Sequence, residues 1–378
     1  MSSSRGAGRA ATRRLVVPLL AALAALAIGA VMLIALGADP VEGYRAMIRG
    51  AFGSGNALVE TALKATPLLL VGVGITIAFR ANVINIGGEG QMIMGAIFAA
   101  GWALAAPELP AAIHLPTVLI AGLLGGAVWG AIPGALKAYF AVNEILSTIM
   151  LNIVAVQIMN FLLRGPFIDP GEIERGTRIP QTARLAETAD LPILLGDRLH
   201  AGPVIAVLAA VAAYVLLWRT GLGFRLRAVG LSRDAAKYAG MPVKRSILLA
   251  LTFSGALAGL AGAVLVFGSE SHRFVTDGSA TGFTGSAGFN GIVTALFGGL
   301  HPLWTIPSSF LFGGLLVGAN ALQRAVQVPS ALIIALNGLV VIFVVSSDRL
   351  RTAVRRGPTP LDDDDSVGAP ALEEEAVP

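Results

Sequence analysis

Arg80-Ala-Asn-Val-Ile-Asn-Ile-Gly-Gly-Glu-Gly-Gln91 sets one carboxylate, three glycines and three side-chain amides between two runs, Ala65–Phe79 and Met92–Ala106, that carry no charge. Each run has 15 residues, whereas about 20 helical residues are needed to cross the roughly 30 Å of bilayer hydrocarbon. Gly-rich polar backbone is tolerated at membrane depth only where it is packed in protein or lines a wet cavity. The stretch therefore predicts a broken membrane helix. A second such stretch, Thr281-Gly-Phe-Thr-Gly-Ser-Ala-Gly-Phe-Asn-Gly291, opens another short run, Ala287–Leu300.

The rest of the chain supplies the membrane setting. Its 378 residues are 55% hydrophobic and 13% charged, with a mean hydropathy of +0.76, against about 25% charged in soluble chains. A soluble enzyme is excluded. Of the 50 Asp, Glu, Lys and Arg residues, 35 fall in four segments: Met1–Arg14, Arg164–Leu199, Arg219–Arg245 and Ser347–Pro378. Lipid imposes this segregation, because an unpaired charge in hydrocarbon costs at least about 2.5 kcal/mol. There is no cysteine and there are four scattered histidines, and neither HExxH nor GxxxxGK[ST] occurs. Thiol chemistry, local metal ligation and nucleotide binding by a P-loop have no residues to use. The basic balance reads as membrane topology, not as nucleic-acid binding.

Uncharged or nearly uncharged segments give ten spans: Leu15–Gly37, Ala65–Phe79, Met92–Ala106, Pro116–Leu136, Ile145–Leu163, Ala201–Trp218, Ser246–Gly268, Ala287–Leu300, Pro302–Leu322 and Pro329–Ser346. The first is too long for a signal peptide and reads as a retained helix. With residues 1–14 as a cytoplasmic tail, the seven Lys/Arg of segment 219–245 and the four of the tail after Asp348 also fall inside, as the positive-inside rule requires. Residues 15–346 form the membrane domain, residues 164–199 an outer loop, and residues 347–378 an acidic cytoplasmic tail too polar and Pro/Gly-rich to order itself. The expected fold is an all-α polytopic membrane protein of about ten transmembrane segments. Spans two to five begin outside and spans seven to ten inside, each block interrupted after its first helix, which is the layout of inverted four-helix repeats with broken helices.

Within the breaks, Glu89 reads either as a functional intramembrane acid or as a cap on the helix it opens. Asn82, Asn85 and Gln91 could bond a polar ligand or satisfy the freed backbone of the break. Asn152 reads as a link between helices, Asn143-Glu144 as helix-start chemistry, and Gly122, Gly125, Gly126 and Gly130 as close-packing surfaces. The glycines 87, 88 and 90 are expected to supply positive φ for a sharp turn. In the inner loop, Ser232 caps a short helix that Gly240 and Pro242 stop. Ala235, Ala236 and Ala239 give that helix a small-residue face, with Tyr238 as a large anchor and Arg233 and Lys237 at its rim.

Three ordered motifs carry a resemblance. They are Phe79–Gln91, Asn143-Glu-Ile-Leu-Ser-Thr-Ile-Met-Leu-Asn152, and Ala228-Val-Gly230 through Ala239-Gly240. Together they resemble the permease subunits of bacterial ATP-binding cassette (ABC) importers for nucleosides and simple sugars. These are related to ribose-type permeases and work with lipoproteins of the basic-membrane-protein type. The resemblance implies a type II ABC importer-like fold in the bacterial plasma membrane. It also implies a cassette ATPase that binds ATP and Mg, a second and paralogous permease, an extracytoplasmic lipoprotein, and no cofactor or catalysis in this chain. It makes Gly230, Ala235, Ala236, Tyr238, Ala239 and Gly240 the segment that docks on the ATPase, with Arg233 at its rim, and the residues at the two breaks, Asn82, Asn85, Glu89, Gln91, Phe289 and Asn290, are the expected substrate path. Two motifs depart from the family. Gly288-Phe-Asn-Gly-Ile292 has Asn290 where Asp is usual, and Gly298-Gly-Leu-His-Pro302 replaces Gly-Arg-Asn-Asn-Pro. The alternative is an ATPase-independent secondary transporter with inverted repeats; an intramembrane enzyme lacks a paired nucleophile and base.

Overall fold

The computed structural model describes residues 26–106 and 109–329, with residues 24, 335, 338 and 339. The tails 1–14 and 347–378 lie outside the described residues, as do nearly all of the span 329–346 and the start of the first span. The described chain is mostly helical. It begins with α1 (Leu26–Ala35), α2 (Pro40–Phe52), α3 (Gly55–Arg80), α4 (Gly88–Ala105), α5 (Ala111–Phe140) and α6 (Glu144–Arg164). A cap follows, with α7 (Pro170–Glu174), a 3-10 turn at Glu187–Ala189 and an antiparallel hairpin of β1 (Ile193–Leu195) and β2 (Leu199–His200). Then come α8 (Gly202–Arg219), α9 (Gly221–Leu231), α10 (Arg233–Tyr238), α11 (Val243–Phe267), α12 (Ala280–Thr284), α13 (Ala287–Phe297) and α14 (Pro302–Val326). Among the described residues six helices are long and apolar enough to cross a membrane: α3, α5, α6, α8, α11 and α14.

Two boundaries differ from the sequence reading. α3 is not a short segment but a 26-residue helix; Glu60 and Lys64 interrupt its apolar run without interrupting its backbone. α2 was not anticipated. Its Glu42, Arg45 and Arg49 dilute the hydropathy, yet Asp39 caps it through Val41 N–H at 2.8 Å and Pro40 suits its first turn. It packs against α14, where a Cβ on Gly50 would lie 2.2 Å from that of Ala321.

α3 and α11 form the buried axis of the bundle, whereas α6 and α8 turn most of their surface outward. α11 packs against α4 and α5, and α3 against α13 and α14. The α4–α5–α11 contact is backbone on backbone. A Cβ on Gly126 would meet the Gly255 carbonyl at 2.1 Å, and one on Gly95 the Gly259 carbonyl at 2.2 Å, so small residues set this approach. At one end of the bundle the cap is laid over residues 267–286 by backbone bonds such as Thr182 N–H to the Phe274 carbonyl (3.0 Å) and Leu191 N–H to the Phe267 carbonyl (2.9 Å). Arg273 bonds Asp169 at 2.6 Å, and this bond, with the Gly171 N–H, holds the Asp169 carboxyl below the usual carboxylate range. Burial pushes the Asp190 carboxyl up, against the pull of His272 at 2.5 Å. The opposite end carries an arm formed by α9 and α10.

Candidate functional site

α3 reaches the arm end at Arg80 and reverses there. Asn82 takes φ 54°, and the Asn82 and Val83 amides close the turn on the Phe79 and Ala78 carbonyls. The chain then climbs back beside α3 in extended form, and α4 starts at Gly88, where an added Cβ would touch Val71 at 3.2 Å and Gly288 at 3.1 Å. Val71 is nine residues before Arg80, roughly 14 Å up the helix at 1.5 Å per residue. α4 thus begins well inside the bundle.

The second break meets the first at this level. α12 and α13 are separated by Gly285 (φ 60°) and Ser286 (φ 62°), consecutive left-handed residues that redirect the chain. α13 has 11 residues, about 16 Å of helix, and runs from this point to the arm end. Its start is so close to that of α4 that a Cβ on Gly288 would lie 2.4 Å from the Glu89 nitrogen. Two helix N-termini, each with unsatisfied N–H groups and positive dipole character, therefore converge.

Glu89, 2% exposed, lies at that convergence. The Phe289 N–H donates to its Oε1 at 3.2 Å, and the Thr284 hydroxyl donates to Oε2. Of the two sequence readings, a cap is nearer, but the capped helix is α13 of the other break, not α4 on which Glu89 sits. A carboxylate at a helix N-terminus contributes about 0.3–2 kcal/mol.

The amides hold the first break. Asn85 is fully buried. Its Nδ2 donates to Ser254 Oγ (2.7 Å) and Gln91 Oε1 (2.9 Å), and its Oδ1 accepts from Gly87 N–H (2.9 Å) and Gln91 Nε2 (3.2 Å). All four of its hydrogen-bonding positions are used, and Gln91, 1% exposed, bonds back to it through both Oε1 and Nε2. Asn152 accepts from Gly90 N–H (2.8 Å) and donates to the Ile86 carbonyl (2.9 Å). Gly87, Gly88 and Gly90 have no positive φ; their role is close approach, and the left-handed residue of this turn is Asn82. Phe289 points outward and is 48% exposed, while Asn290 is half-buried. Asn143 caps α6, and Glu144 pairs with Lys137 at 2.6 Å.

The arm touches the first break and, through Arg80, is linked to the far end of α13. In α10, Ser232 caps through Ala235 N–H at 3.2 Å and Gly240 takes φ 72° at its end. Gly230 lies against α3 so tightly that a Cβ would meet the Arg80 carbonyl at 2.1 Å, and Arg233 donates to the Asn82 carbonyl at 3.1 Å. Arg80 in turn donates to the Leu300 carbonyl at 2.8 Å, at the turn that ends α13. Arg80 and Arg227 lie over Trp218, at 5.3 and 5.6 Å from a ring centroid. The exposed face of α10 differs from the expected small-residue face: Ala236 is 3% exposed and packs inward, while Leu231 and Tyr238 are 90% and 95% exposed beside Ala235 and Ala239.

Sequence reasoning missed an open cavity of about 670 Å³ with a mixed polar and apolar lining on the cap side of Glu89, bordered by α3, α11, α12 and α14. Its signal was Glu60, Lys64 and Asn320, polar residues inside otherwise apolar helices.

Half-helices whose starts meet at a buried polar centre, within a bundle of membrane-length helices, form the kind of site around which transport proteins are built. The chain belongs to the family described as branched-chain amino acid transport system, permease component, whose model matches residues 57–345. It is 37% identical over 337 residues to the guanosine ABC transporter permease protein NupP of Bacillus subtilis, covering 89% of this chain and 94% of that one. It is 36% identical over 343 residues to the glucose ABC transporter permease protein TsgB13 of Haloferax volcanii (88% and 87%), and 31% identical over 339 residues to the nucleoside ABC transporter permease protein NupB of Lactococcus lactis (88% and 91%). Second permeases of two of these organisms, NupQ of Bacillus subtilis and NupC of Lactococcus lactis, match at 26% and 24%. No solved structure matches the chain.

Proposed function

We propose that this chain is the membrane-spanning permease subunit of an ABC importer that moves a nucleoside or simple sugar delivered by an extracytoplasmic lipoprotein. The observation that carries the reading is the tie from an exposed arm to the first break and to the end of the half-helix that leaves the second: Arg233 to Asn82, Gly230 to Arg80, and Arg80 to Leu300. A partner that pushes α10 moves the floor of the first break and the end of α13 together. ATP and Mg are bound by that partner, a cassette ATPase, and no bond is made or broken in this chain. The seven Lys/Arg of residues 219–245 favour the arm as the cytoplasmic side of a plasma membrane, with both termini on that side.

Ten spans in inverted repeats are the architecture we assign. In support, α3 runs from the cap to the arm and α11 the other way, and each packs on the broken and following helices of the opposite block. The correspondence is α3 with α11, α4 with α13, and α5 with α14. The second permease is a paralogue, in keeping with the two-permease organisms among the relatives. A secondary transporter is not favoured, since the similar proteins carry the ABC designation. The test is the arm's outer face: Tyr238→Ala with Leu231→Ser should abolish co-purification of the ATPase while the chain remains in the membrane. Unchanged co-purification would contradict the reading.

A further inference from the structure

The cavity next to the breaks is a site to which no role has been given. Glu60 and Lys64 lie one turn apart on α3, and Asn320 lies on α14; both helices are long and apolar enough to span a membrane, and all three side chains line the cavity. Neither Glu60 nor Lys64 has an ion-pair partner among the described residues. Ionisable groups placed in spans without partners face water or a ligand. The floor of the cavity is Thr284, Gly285 and Ala287, the second break itself, and behind Thr284 stands Glu89. Glu60 and Asn320 also line a neighbouring cavity of about 770 Å³ that reaches Asp197 and Arg198 of the hairpin. The two spaces share these residues and lead from the cap to the breaks.

We infer that this cavity is a reception site, in which a neutral polyhydroxylated solute is held above the closed breaks by Glu60, Lys64 and Asn320. Its volume suits a small solute, since ligand pockets run from about 300 to 1,000 Å³. One carboxylate, one ammonium and one amide carry no net charge and offer both acceptors and donors, which matches the paired hydroxyls of a ribosyl or pyranosyl group. A phosphorylated solute brings about 1.5 to 2 further negative charges against Glu60, while Glu270, which also lines the cavity, is already paired with Arg198. The inference rests on the transport reading above and adds the place and chemistry of the waiting site.

The absence of cysteine from the chain allows a direct test in the assembled transporter. Asn320→Cys and, independently, Leu316→Cys, which lines the same cavity, are labelled with a membrane-impermeant methanethiosulfonate from the cap side, with and without guanosine or D-glucose. Both positions should label, and one of the two solutes at ten times its dissociation constant should slow labelling about tenfold. Absence of labelling at both positions, or labelling that neither solute slows, overturns the inference. Slowed labelling in a complex that takes up neither solute keeps the site and overturns only the transport reading.

Discussion

Gly288→Ala is the sharpest probe of the convergence of α4 and α13. The new Cβ would lie 2.4 Å from the Glu89 nitrogen and 2.8 Å from the Gly88 carbonyl carbon, where ordinary contact begins near 3.4 Å. Both neighbours are backbone at the start of a buried helix, so the two half-helices must part by roughly 1 Å, and overpacking of this kind costs about 1–3 kcal/mol. The same displacement stretches the Phe289 N–H to Glu89 bond from 3.2 Å to beyond hydrogen-bonding range, and a bond to a charged group contributes about 1.5–3 kcal/mol. The two effects share one movement and are not additive, so the expected loss is about 2–5 kcal/mol. Gly88→Ala is the control, because its nearest neighbour would be 3.1 Å away and a few tenths of an ångström suffice. Thermal melting of the detergent-solubilised complex and solute uptake are measured for both. Gly288→Ala should melt several degrees lower and lose uptake, with Gly88→Ala close to wild type. Equal, near-wild-type behaviour of the two variants would refute the convergence.

Glu89→Gln keeps the shape but turns one acceptor into a donor facing Thr284 or Phe289; membrane abundance should hold while uptake falls about tenfold or more, the equivalent of one charge-assisted hydrogen bond. Arg80→Gln removes the bonds to Leu300 and Gly299 and the stacking on Trp218. It should leave ATP hydrolysis running with uptake reduced, a ratio read in one vesicle preparation. Ala236→Glu buries an unpaired charge inside the chain, so the variant should be lost from the membrane fraction, whereas Ala235→Glu should insert normally and fail only in ATPase co-purification. In the cap, Asp169 and Glu172 are held below the usual carboxylate range, Glu172 first by Thr177 and then by Arg175. Their stabilisation is present above about pH 4 and lost as pH falls through their lower folded values. Limited proteolysis should therefore leave residues 165–201 intact at pH 7 and cut them only once the pH falls below the lowered folded values of both carboxyls.

The position of both breaks was legible because glycine, amide and carboxylate residues interrupt apolar runs, and lipid tolerates that only for a purpose. Most helices also followed from uncharged length, as α6, α8 and α11 illustrate. Charge counting failed at Glu60 and Lys64, which cut α3 short on paper because two charges one turn apart end an apolar run without ending the helix backbone. It failed likewise for the amphipathic α2. The partners of Glu89 and Asn85 were out of reach for another reason: Thr284 lies 195 residues from Glu89 and Ser254 lies 169 from Asn85, distances that no local pattern spans. The inward phase of Ala236 was equally hidden, since a six-residue helix with two adjacent alanines does not declare which side its neighbours take.

The central claim is that movement of the arm, driven by a partner's ATP, opens the meeting point of the half-helices. Its most direct test is uptake of guanosine or D-glucose by vesicles holding this permease, its partner permease, the ATPase and the loaded binding protein. Uptake should require ATP inside the partner and vanish in the Tyr238→Ala, Leu231→Ser variant; uptake driven by an ion gradient without ATP would contradict the account.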